Sequence, residues 1–215
     1  MTVKAVARKG IGCIDMNFIY IYTLTICIGW YFQIDELNDV INMITFRSVC
    51  VWLVNAYFAG VIGYLLFRNG RIKVVTFITM PVLAFYLSFV AKITIFSRIP
   101  WYEPRYMLVP FWSYRAIAEG VEGIIPEVFW NVVLFIPIGI LFMLFLTCKR
   151  KWVITVIIGF LLTTAIELIQ LIFHRGYFEF DDIFHNTLGT GIGIGIYIIV
   201  VKLLSGFSVF KKVKE

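Results

Sequence analysis

Charged residues are scarce in this chain. They occupy 15% of its 215 positions, whereas hydrophobic residues occupy 61% and the mean hydropathy is +0.92. A soluble domain carries about 25% charged residues, because its surface faces water. The scarcity of charge therefore excludes an ordinary soluble domain and predicts an integral membrane protein with one compact bundle.

Motifs for metal or cofactor binding are also scarce. The four cysteines have no C-x-x-C spacing. No ligand spacing supports the alternative in which His174 and His185 join carboxylates around a metal ion. We therefore predict neither a metal site nor a cofactor. Nucleic acid is not predicted as a partner either, because no basic stretch alternates with aromatic residues on a soluble face.

Long apolar runs are abundant. A helix needs about 20 apolar residues to cross about 30 Å of hydrocarbon, and runs such as "VLFIPIGILFMLFL" lack the alternation of a barrel strand. The predicted fold class is therefore all-α, a polytopic transmembrane helical bundle of about six spans. The predicted spans are residues 16–33, 48–67, 74–97, 127–147, 152–173 and 183–201.

Lysine and arginine residues alternate between the connections. They concentrate in the N-terminal segment, around residues 68–73 and 149–151, and in the tail, and they are sparse in the other connections. The positive-inside rule then predicts that both termini lie in the cytoplasm. This topology accounts for the net charge of +6, and membrane lipids with anionic headgroups are the expected partners of the basic turns.

The chain is interpreted as one structural domain with three regions. Residues 1–104 form an N-terminal three-helix membrane region, residues 105–201 a second membrane region of three helices plus an outer loop, and residues 202–215 a basic cytoplasmic tail. The loop within residues 98–126 contains several Pro, Trp and Tyr residues. Because Trp and Tyr suit the headgroup layer, we predict that this loop lies over the outer face of the bundle.

Polar side chains interrupt the last three spans near their outer ends, on faces set by helical spacing. The fifth span carries Thr163, Glu167, Gln170 and His174 on one face. The sixth span carries a stripe of Asp182, Asn186, Gly189 and Gly193, and the fourth carries Glu127 and Asn131. Three helices are thus predicted to bring polar groups to the same depth, and Lys92 on the third span adds a cation.

Glu167 is the residue that most needs an explanation. A charged carboxylate within a membrane is costly unless it is paired, solvated or protonated, so it is a functional candidate by default. The alternative is structural, in which Glu167 pairs with Lys92 or Arg175 and fixes the helix register.

Structural alternatives also exist for the neighbouring polar residues. Asp181 or Asp182 is placed to act as the N-cap of the sixth span. Asn131 and Asn186 are placed to form hydrogen bonds between helices.

Glycine recurs at every second position in "GTGIGIGIY", which begins at Gly189. No strand precedes this stretch and no Lys-Ser/Thr follows it, so a phosphate loop is not indicated. The overlapping small-x-x-x-small pairs, Gly189 with Gly193 and Gly191 with Gly195, instead predict close packing against a neighbouring helix.

Several short stretches together resemble the VanZ-like family of bacterial membrane proteins. They are "MLVPF" from Met107, "NVVLFIPIG" from Asn131, "IELIQ" from Ile166, Arg175, and "FEFDDIFHNTLG" from Phe178. Their order and spacing are similar to that family over about residues 105–200.

The resemblance implies a multi-pass protein of the bacterial cytoplasmic membrane. The member that gives the family its name is associated with low-level resistance to the glycopeptide teicoplanin, without an established biochemical activity. Such a phenotype suits a site at the outer leaflet, where cell-wall precursors and the lipid tail of that drug are found.

The preferred hypothesis is a non-enzymatic protein that binds an amphiphilic or lipid-linked ligand at its outer face, such as a cell-wall precursor or a lipoglycopeptide. Arg175 suits a phosphate or carboxylate, because its guanidinium offers a planar bidentate fork. The residues expected to line the site are Glu167, Gln170, Arg175, Asp181, Asp182, Asn186 and Asn131.

Two alternatives stay open. One is an integral-membrane enzyme that acts on a lipid-linked phosphate through an acid–base couple or a divalent metal. It would use Glu167, Asp181, Asp182 and Arg175, although no nucleophile motif supports it. In the other alternative these residues only fix helix register, and the chain is a structural membrane partner of other proteins.

Overall fold

The computed structural model describes residues 46–212, with side chains described for residues 48–205. The predicted first span, residues 16–33, lies outside the described residues. The elements in chain order are α1 (Phe46–Arg68), α2 (Val74–Ala91), a π-helical segment (Lys92–Phe96), β1 (Arg105–Met107), α3 (Trp112–Ala118), α4 (Ile124–Phe145), α5 (Lys151–Ile172), β2 (Tyr177–Glu179) and α6 (Phe180–Lys212).

Five of these helical stretches are long and apolar enough to cross a membrane, which confirms the all-α membrane class. They match five of the six predicted spans, with α2 continued by the π-helical segment. The last helix differs in its bounds, because it begins at Phe180 rather than 183 and continues through the predicted tail to Lys212. Its first turn contains Asp181 and Asp182, whose carboxylates have partners within the protein. An apolar run counted in the sequence begins only after them.

The helices α4 and α6 form the most extensive helix pair in the described part of the chain. A methyl group at Gly189 would lie 2.2 Å from the Val132 carbonyl oxygen, and one at Gly193 would lie 2.1 Å from that of Ile136. The two backbones are therefore in direct contact, as small-residue packing in membranes allows. This confirms the predicted role of Gly189 and Gly193.

The second predicted glycine pair meets no helix among the described residues. A methyl group at Gly191 or at Gly195 would meet no described atom within 4 Å. Residues 191 and 195 lie on the side of α6 that faces away from α4, so the packing of this pair stays a prediction. A two-residue shift rotates a side chain by about 200° around a helix.

The core lies between α2, α4 and α5. Its buried residues are Val90, Ile95, Phe135, Ile138 and Ile166. Within a membrane these side chains gain little from leaving lipid, so their contribution is the close packing of helix against helix.

The two ends of the bundle are held by different contacts. At one end, called here the polar end, the last turn of α2 with its π-helical segment, the start of α4, the end of α5 and the start of α6 meet. Gln170 in α5 donates to the Thr94 carbonyl oxygen at 2.8 Å, and Asn131 in α4 donates to Asp182 in α6 at 2.7 Å. At the opposite end, Lys151 donates to the Met143 carbonyl oxygen at 2.8 Å.

The segment between the π-helical segment and α4 packs on the polar end. Its strand β1 pairs in parallel with β2, with Arg105 opposite Tyr177 and Met107 opposite Glu179. Its backbone is also anchored where the Trp101 amide donates to the His174 carbonyl oxygen at 2.7 Å. This two-stranded sheet joins the predicted outer loop to the connection between α5 and α6.

We predict that Gly193→Ala destabilises the protein, because its methyl group would overlap the Ile136 carbonyl oxygen on α4. Overpacking of this kind costs about 1–3 kcal/mol. Thermal unfolding of the purified protein in detergent measures this loss of stability. Gly191→Ala, on the side of the same helix that faces away from α4, is the matched control. Equal unfolding temperatures for the two variants would contradict the backbone contact.

Candidate functional site

The end of α5 brings three polar side chains into the bundle. Thr163, Glu167 and Gln170 are buried on one face, as their spacing predicts. His174 does not continue this face, because α5 ends at Ile172 and His174 has a left-handed φ of 54°. The amide of His174 donates to the Leu171 carbonyl oxygen, and that of Arg175 to the Gln170 carbonyl oxygen. This is the Schellman arrangement that ends a helix.

Glu167 is 2% exposed and connects α5 to the strand β2. Its Oε2 accepts a hydrogen bond of 3.0 Å from the Glu179 amide. The positive charge of Arg98 and the negative charges of Asp182 and Glu179 also act on it. The structure therefore places a buried carboxylate where the last turn of α5 meets the outer strands.

Asp182 and Asn186 lie one turn apart on α6 and are both buried. Asp182 accepts from Asn131 of α4, and Asn186 donates through Nδ2 to the Thr163 hydroxyl oxygen of α5 at 2.8 Å. These two bonds join α6 to both of its neighbours at the polar end. The predicted convergence of three helices is therefore present in the structure.

Asp181 caps a helix, but not its own. Its carboxylate accepts from the Phe111 amide at 2.5 Å, the Ser113 amide at 2.9 Å and the Ser113 hydroxyl at 2.6 Å. These donors lie at the start of α3, which has no side-chain cap within its own sequence. The prediction that Asp181 or Asp182 caps the sixth span was wrong, since α6 begins at Phe180 and both residues lie in its first turn.

Arg175 lies beside the π-helical segment. Its Nη1 donates to the carbonyl oxygens of Ile95 and Phe96 at 3.2 and 3.3 Å. Carbonyls at the end of a helix lack intrahelical partners, and a cation beside them is favourable. Burial lowers the pKa of Arg175 from its usual value. The guanidinium thus holds the end of the second described span against the connection after α5.

Glu179 ends β2 and faces the other acids. It is buried and accepts from the Trp112 indole N–H at 3.0 Å. Burial, and after it the charges of Asp182 and Glu127, raise its pKa to about 7 against the lowering effects of Trp112 and Arg98. An acid held in this way exchanges its proton near neutral pH.

Arg98 is a site residue that the sequence analysis did not single out. Its charge acts on Glu167, Glu179 and Asp182. Its Nη1 lies 2.7 Å from the position that a methyl group at Gly176 would take. The signal available in the sequence is its place immediately after an apolar span, which it shares with Arg175.

The comparison with protein families agrees with this arrangement. The family model described as VanZ/LLP1 matches residues 82–201, which is more than half of the chain. The chain belongs to the VanZ/LLP1 family. No curated protein and no solved structure matches it.

The VanZ/LLP1 match begins within α2, earlier than the resemblance at residues 105–200 predicts. It includes Lys92, which is buried in the first position of the π-helical segment. It also includes Arg98 and the whole outer segment. Every residue that the sequence analysis placed in the site lies inside the match, and all of them lie at the polar end.

Two further features of this VanZ/LLP1 region bear on its chemistry. Within residues 46–212, no group of three or more His, Cys, Asp or Glu side chains is arranged to hold a metal ion. His185 is buried and its Nε2 is 3.0 Å from the Tyr114 hydroxyl, with Asp181 one turn before it on α6. His185 and Tyr114 thus form a second polar contact between α6 and α3, next to the one between Asp181 and Ser113.

We predict that Asp181→Ala loosens the outer segment. The Phe111 and Ser113 amides lose their acceptor, and a buried donor without an acceptor costs about 1–3 kcal/mol. Limited proteolysis should then cut within residues 98–126 faster than in the parent, with a lower unfolding temperature. Glu122→Ala, which removes an exposed acid of the same segment, is the control. Identical cleavage rates for the two variants would contradict the cap.

We predict that Glu179→Gln flattens the pH dependence of stability. The folded-state pKa of about 7 exceeds the ordinary value, so the folded protein binds this proton more tightly than the unfolded chain does. Stability from this group therefore falls as pH rises from about 4.5 to about 7. Glutamine still accepts from Trp112 and does not ionise.

Unfolding temperatures measured between about pH 5 and pH 8 test this prediction. The variant should exceed the parent at the upper end and differ little at the lower end. Parallel curves across that range would show that Glu179 does not titrate there.

Proposed function

We propose that the chain binds an amphiphilic or lipid-linked ligand at the polar end of its bundle, and that this end faces the outside of a bacterial cytoplasmic membrane. The observation that carries the proposal is the burial of Glu167, Glu179 and Asp182 within reach of one another's charge. Like charges brought together out of water are unfavourable, so a cluster of this kind is typical of a functional site.

The surroundings of these acids suit a ligand with an apolar part. Exposed aromatic side chains surround the polar end on the outer segment and the start of α4, as in the belts at membrane interfaces. They are Trp101, Tyr102, Tyr106, Phe111, Tyr114, Phe129 and Trp130. The Arg105 guanidinium lies 3.6 Å from the centre of the Trp101 ring and donates to the Tyr177 hydroxyl. A polar headgroup at the acids would leave its chain among these rings.

The predicted site residues divide into two groups by their contacts. Asp181 and Arg175 use their charges to hold backbone groups of α3 and the π-helical segment. We assign them positioning roles in place of direct ligand contact. Glu167, Gln170, Asp182 and Asn186 lie between α5 and α6, with Asn131 beside them, and are the residues we assign to ligand binding.

A structural role for the whole cluster is the second candidate. It is favoured by the bonds from Asn131 to Asp182, from Asn186 to Thr163 and from the Glu179 amide to Glu167, each of which joins two elements. Thermal stability separates the two candidates. Neutralising a functional buried acid raises stability or leaves it unchanged, whereas neutralising a structural one lowers it.

We propose that the chain protects a susceptible bacterial host against teicoplanin, and we predict that Glu167→Gln abolishes this protection. Glutamine keeps the acceptor for the Glu179 amide and loses the charge, so the fold is retained while the site is altered. The measurement is the minimal inhibitory concentration of teicoplanin at equal membrane expression.

Two further variants make this assay specific. Arg175→Ala should also reduce protection, because the connection after α5 loses its anchor on the π-helical segment. Thr164→Val is the control, since the Thr164 hydroxyl bonds to the Phe160 carbonyl of its own helix. Full protection by well-expressed Glu167→Gln would contradict the proposal.

A further inference from the structure

Among residues 48–205, the polar end holds more acidic than basic side chains. Five carboxylates lie there, those of Glu127, Glu167, Glu179, Asp181 and Asp182. They outnumber the cations even when Lys92, Arg98 and Arg175 are all counted. Among the carboxylates, that of Asp181 is occupied by three donors from the start of α3. When these acids are ionised, an added anion therefore meets repulsion here and an added cation meets attraction.

Two buried amide oxygens at this end accept no hydrogen bond from any residue that the structure describes. Gln170 is 1% exposed, and it donates through Nε2 to the Thr94 carbonyl oxygen while its Oε1 has no partner. Asn186 is 4% exposed, and it donates through Nδ2 to Thr163 while its Oδ1 has no partner. A buried acceptor without a donor is unfavourable, so a ligand that donates a hydrogen bond to either oxygen would be stabilised there.

The unpaired oxygens belong to the same helix faces as the acids. Gln170 is one turn from Glu167 on α5, and Asn186 is one turn from Asp182 on α6. The bond from Asn186 to Thr163 holds these two faces together. These four residues, at the ends of α5 and α6 that meet at the polar end, are called here the junction.

Arg98 marks the outer boundary of this junction. Its Nη1 and the Oε1 of Gln170 both lie within 3.3 Å of the position that a methyl group at Gly176 would take. The same guanidinium acts on Glu167 and Asp182. The unpaired oxygen of Gln170 thus lies beside the charged cluster, at its Arg98 side.

A graded series of polar residues on α4 leads from the surface to Asp182. Glu127 is exposed, Asn131 one turn further is half-buried, and Asn131 donates to the buried Asp182. The charge of Glu127 acts on both Asp182 and Glu179. A cation is therefore attracted first at an exposed acid and then along one helix face.

We propose that this junction binds the protonated primary amine of an amphiphile, with its three N–H donors shared among the carboxylates of Glu167 and Asp182 and the free amide oxygens of Gln170 and Asn186. The inference rests on the proposed function and names the chemical class of the ligand headgroup. An ammonium carries three donors and no acceptor, which matches a junction rich in unpaired acceptors. Hydrogen bonds between an ammonium and a carboxylate are also stronger than neutral ones.

The first test compares three ligands that share a dodecyl chain, using the purified full-length chain in a non-ionic detergent at about pH 7.5, where an alkylamine is protonated as lysine is. Dodecylamine is the probe. Dodecyltrimethylammonium keeps the charge without N–H donors, and N-dodecylacetamide has an N–H without the charge. Dodecylamine should raise the unfolding temperature, and the other two should not. An equal shift with all three, or none with dodecylamine, would overturn the proposal.

The second test uses variants in a fluorescence titration with dodecylamine. Glu167→Gln and Asp182→Asn should each weaken binding about tenfold or more, because each removes a charged acceptor. Glu127→Gln changes an exposed residue and should weaken binding about two- to fivefold, as expected for an exposed charge. Thr164→Val should bind like the parent. The proposal would be overturned if Glu127→Gln and at least one of the single variants Glu167→Gln and Asp182→Asn bound dodecylamine with the affinity of the parent.

Three outcomes separate the amine assignment from the alternatives. If sodium or lithium chloride stabilises the parent as much as dodecylamine does, and Glu167→Gln loses that effect, the junction binds an alkali ion and the proposal fails. If Glu167→Gln loses teicoplanin protection while dodecylamine does not bind the parent, the amine assignment fails and the proposed function stands. If dodecylamine binds the parent as expected while Glu167→Gln keeps full teicoplanin protection, the amine assignment stands and the proposed role of this site in teicoplanin protection fails.

Discussion

The hydrogen bond from the Glu179 amide to the carboxylate of Glu167 is the interaction on which the polar end depends. It ties the last turn of α5 to the strand β2, and β2 in turn pairs with β1 of the outer segment. A carboxylate at this depth is costly to ionise, so the protein must supply donors, a nearby cation or a proton. The amide of Glu179 donates to Glu167 and the positive charge of Arg98 acts on it, so these two groups offset part of the cost of ionising it.

Once that bond is in place, the other polar contacts follow as a connected set. Asp181 holds the start of α3 over the bundle, and Arg175 holds the π-helical segment against the connection after α5. The backbone contact between α4 and α6 at Gly189 and Gly193 lets Asn131 reach Asp182 across a short distance. Close packing below the site therefore sets the geometry of the site itself.

Much of this arrangement follows from helical periodicity. Spans, buried faces and the convergence of Glu167, Asp182 and Asn131 are all consequences of 3.6 residues per turn applied to long apolar runs. The two glycine pairs show the limit of prediction from spacing. Both pairs have the same spacing, but only Gly189 and Gly193 lie on the face of α6 that meets α4.

The partners that come from the outer segment could not be predicted in this way. Asp181 reaches Ser113 across 68 positions of sequence, and no periodicity relates an irregular segment to a helix so far along the chain. The charge of Arg98 likewise acts on Glu167, Glu179 and Asp182, which lie 69 or more positions further along the chain, and no local pattern in the sequence relates them. Long-range contacts of loops depend on tertiary structure, and local spacing carries no record of them.

The central claim is that the polar end faces the outside of the cell, and cysteine accessibility tests it most directly. A single cysteine would replace the fully exposed Tyr102 of the outer segment, and in a second protein Arg150 at the opposite end, in a background without native cysteines. Intact cells would be treated with a membrane-impermeant thiol reagent. The account predicts labelling at position 102 in intact cells and at position 150 only after permeabilisation. The reverse pattern would contradict it.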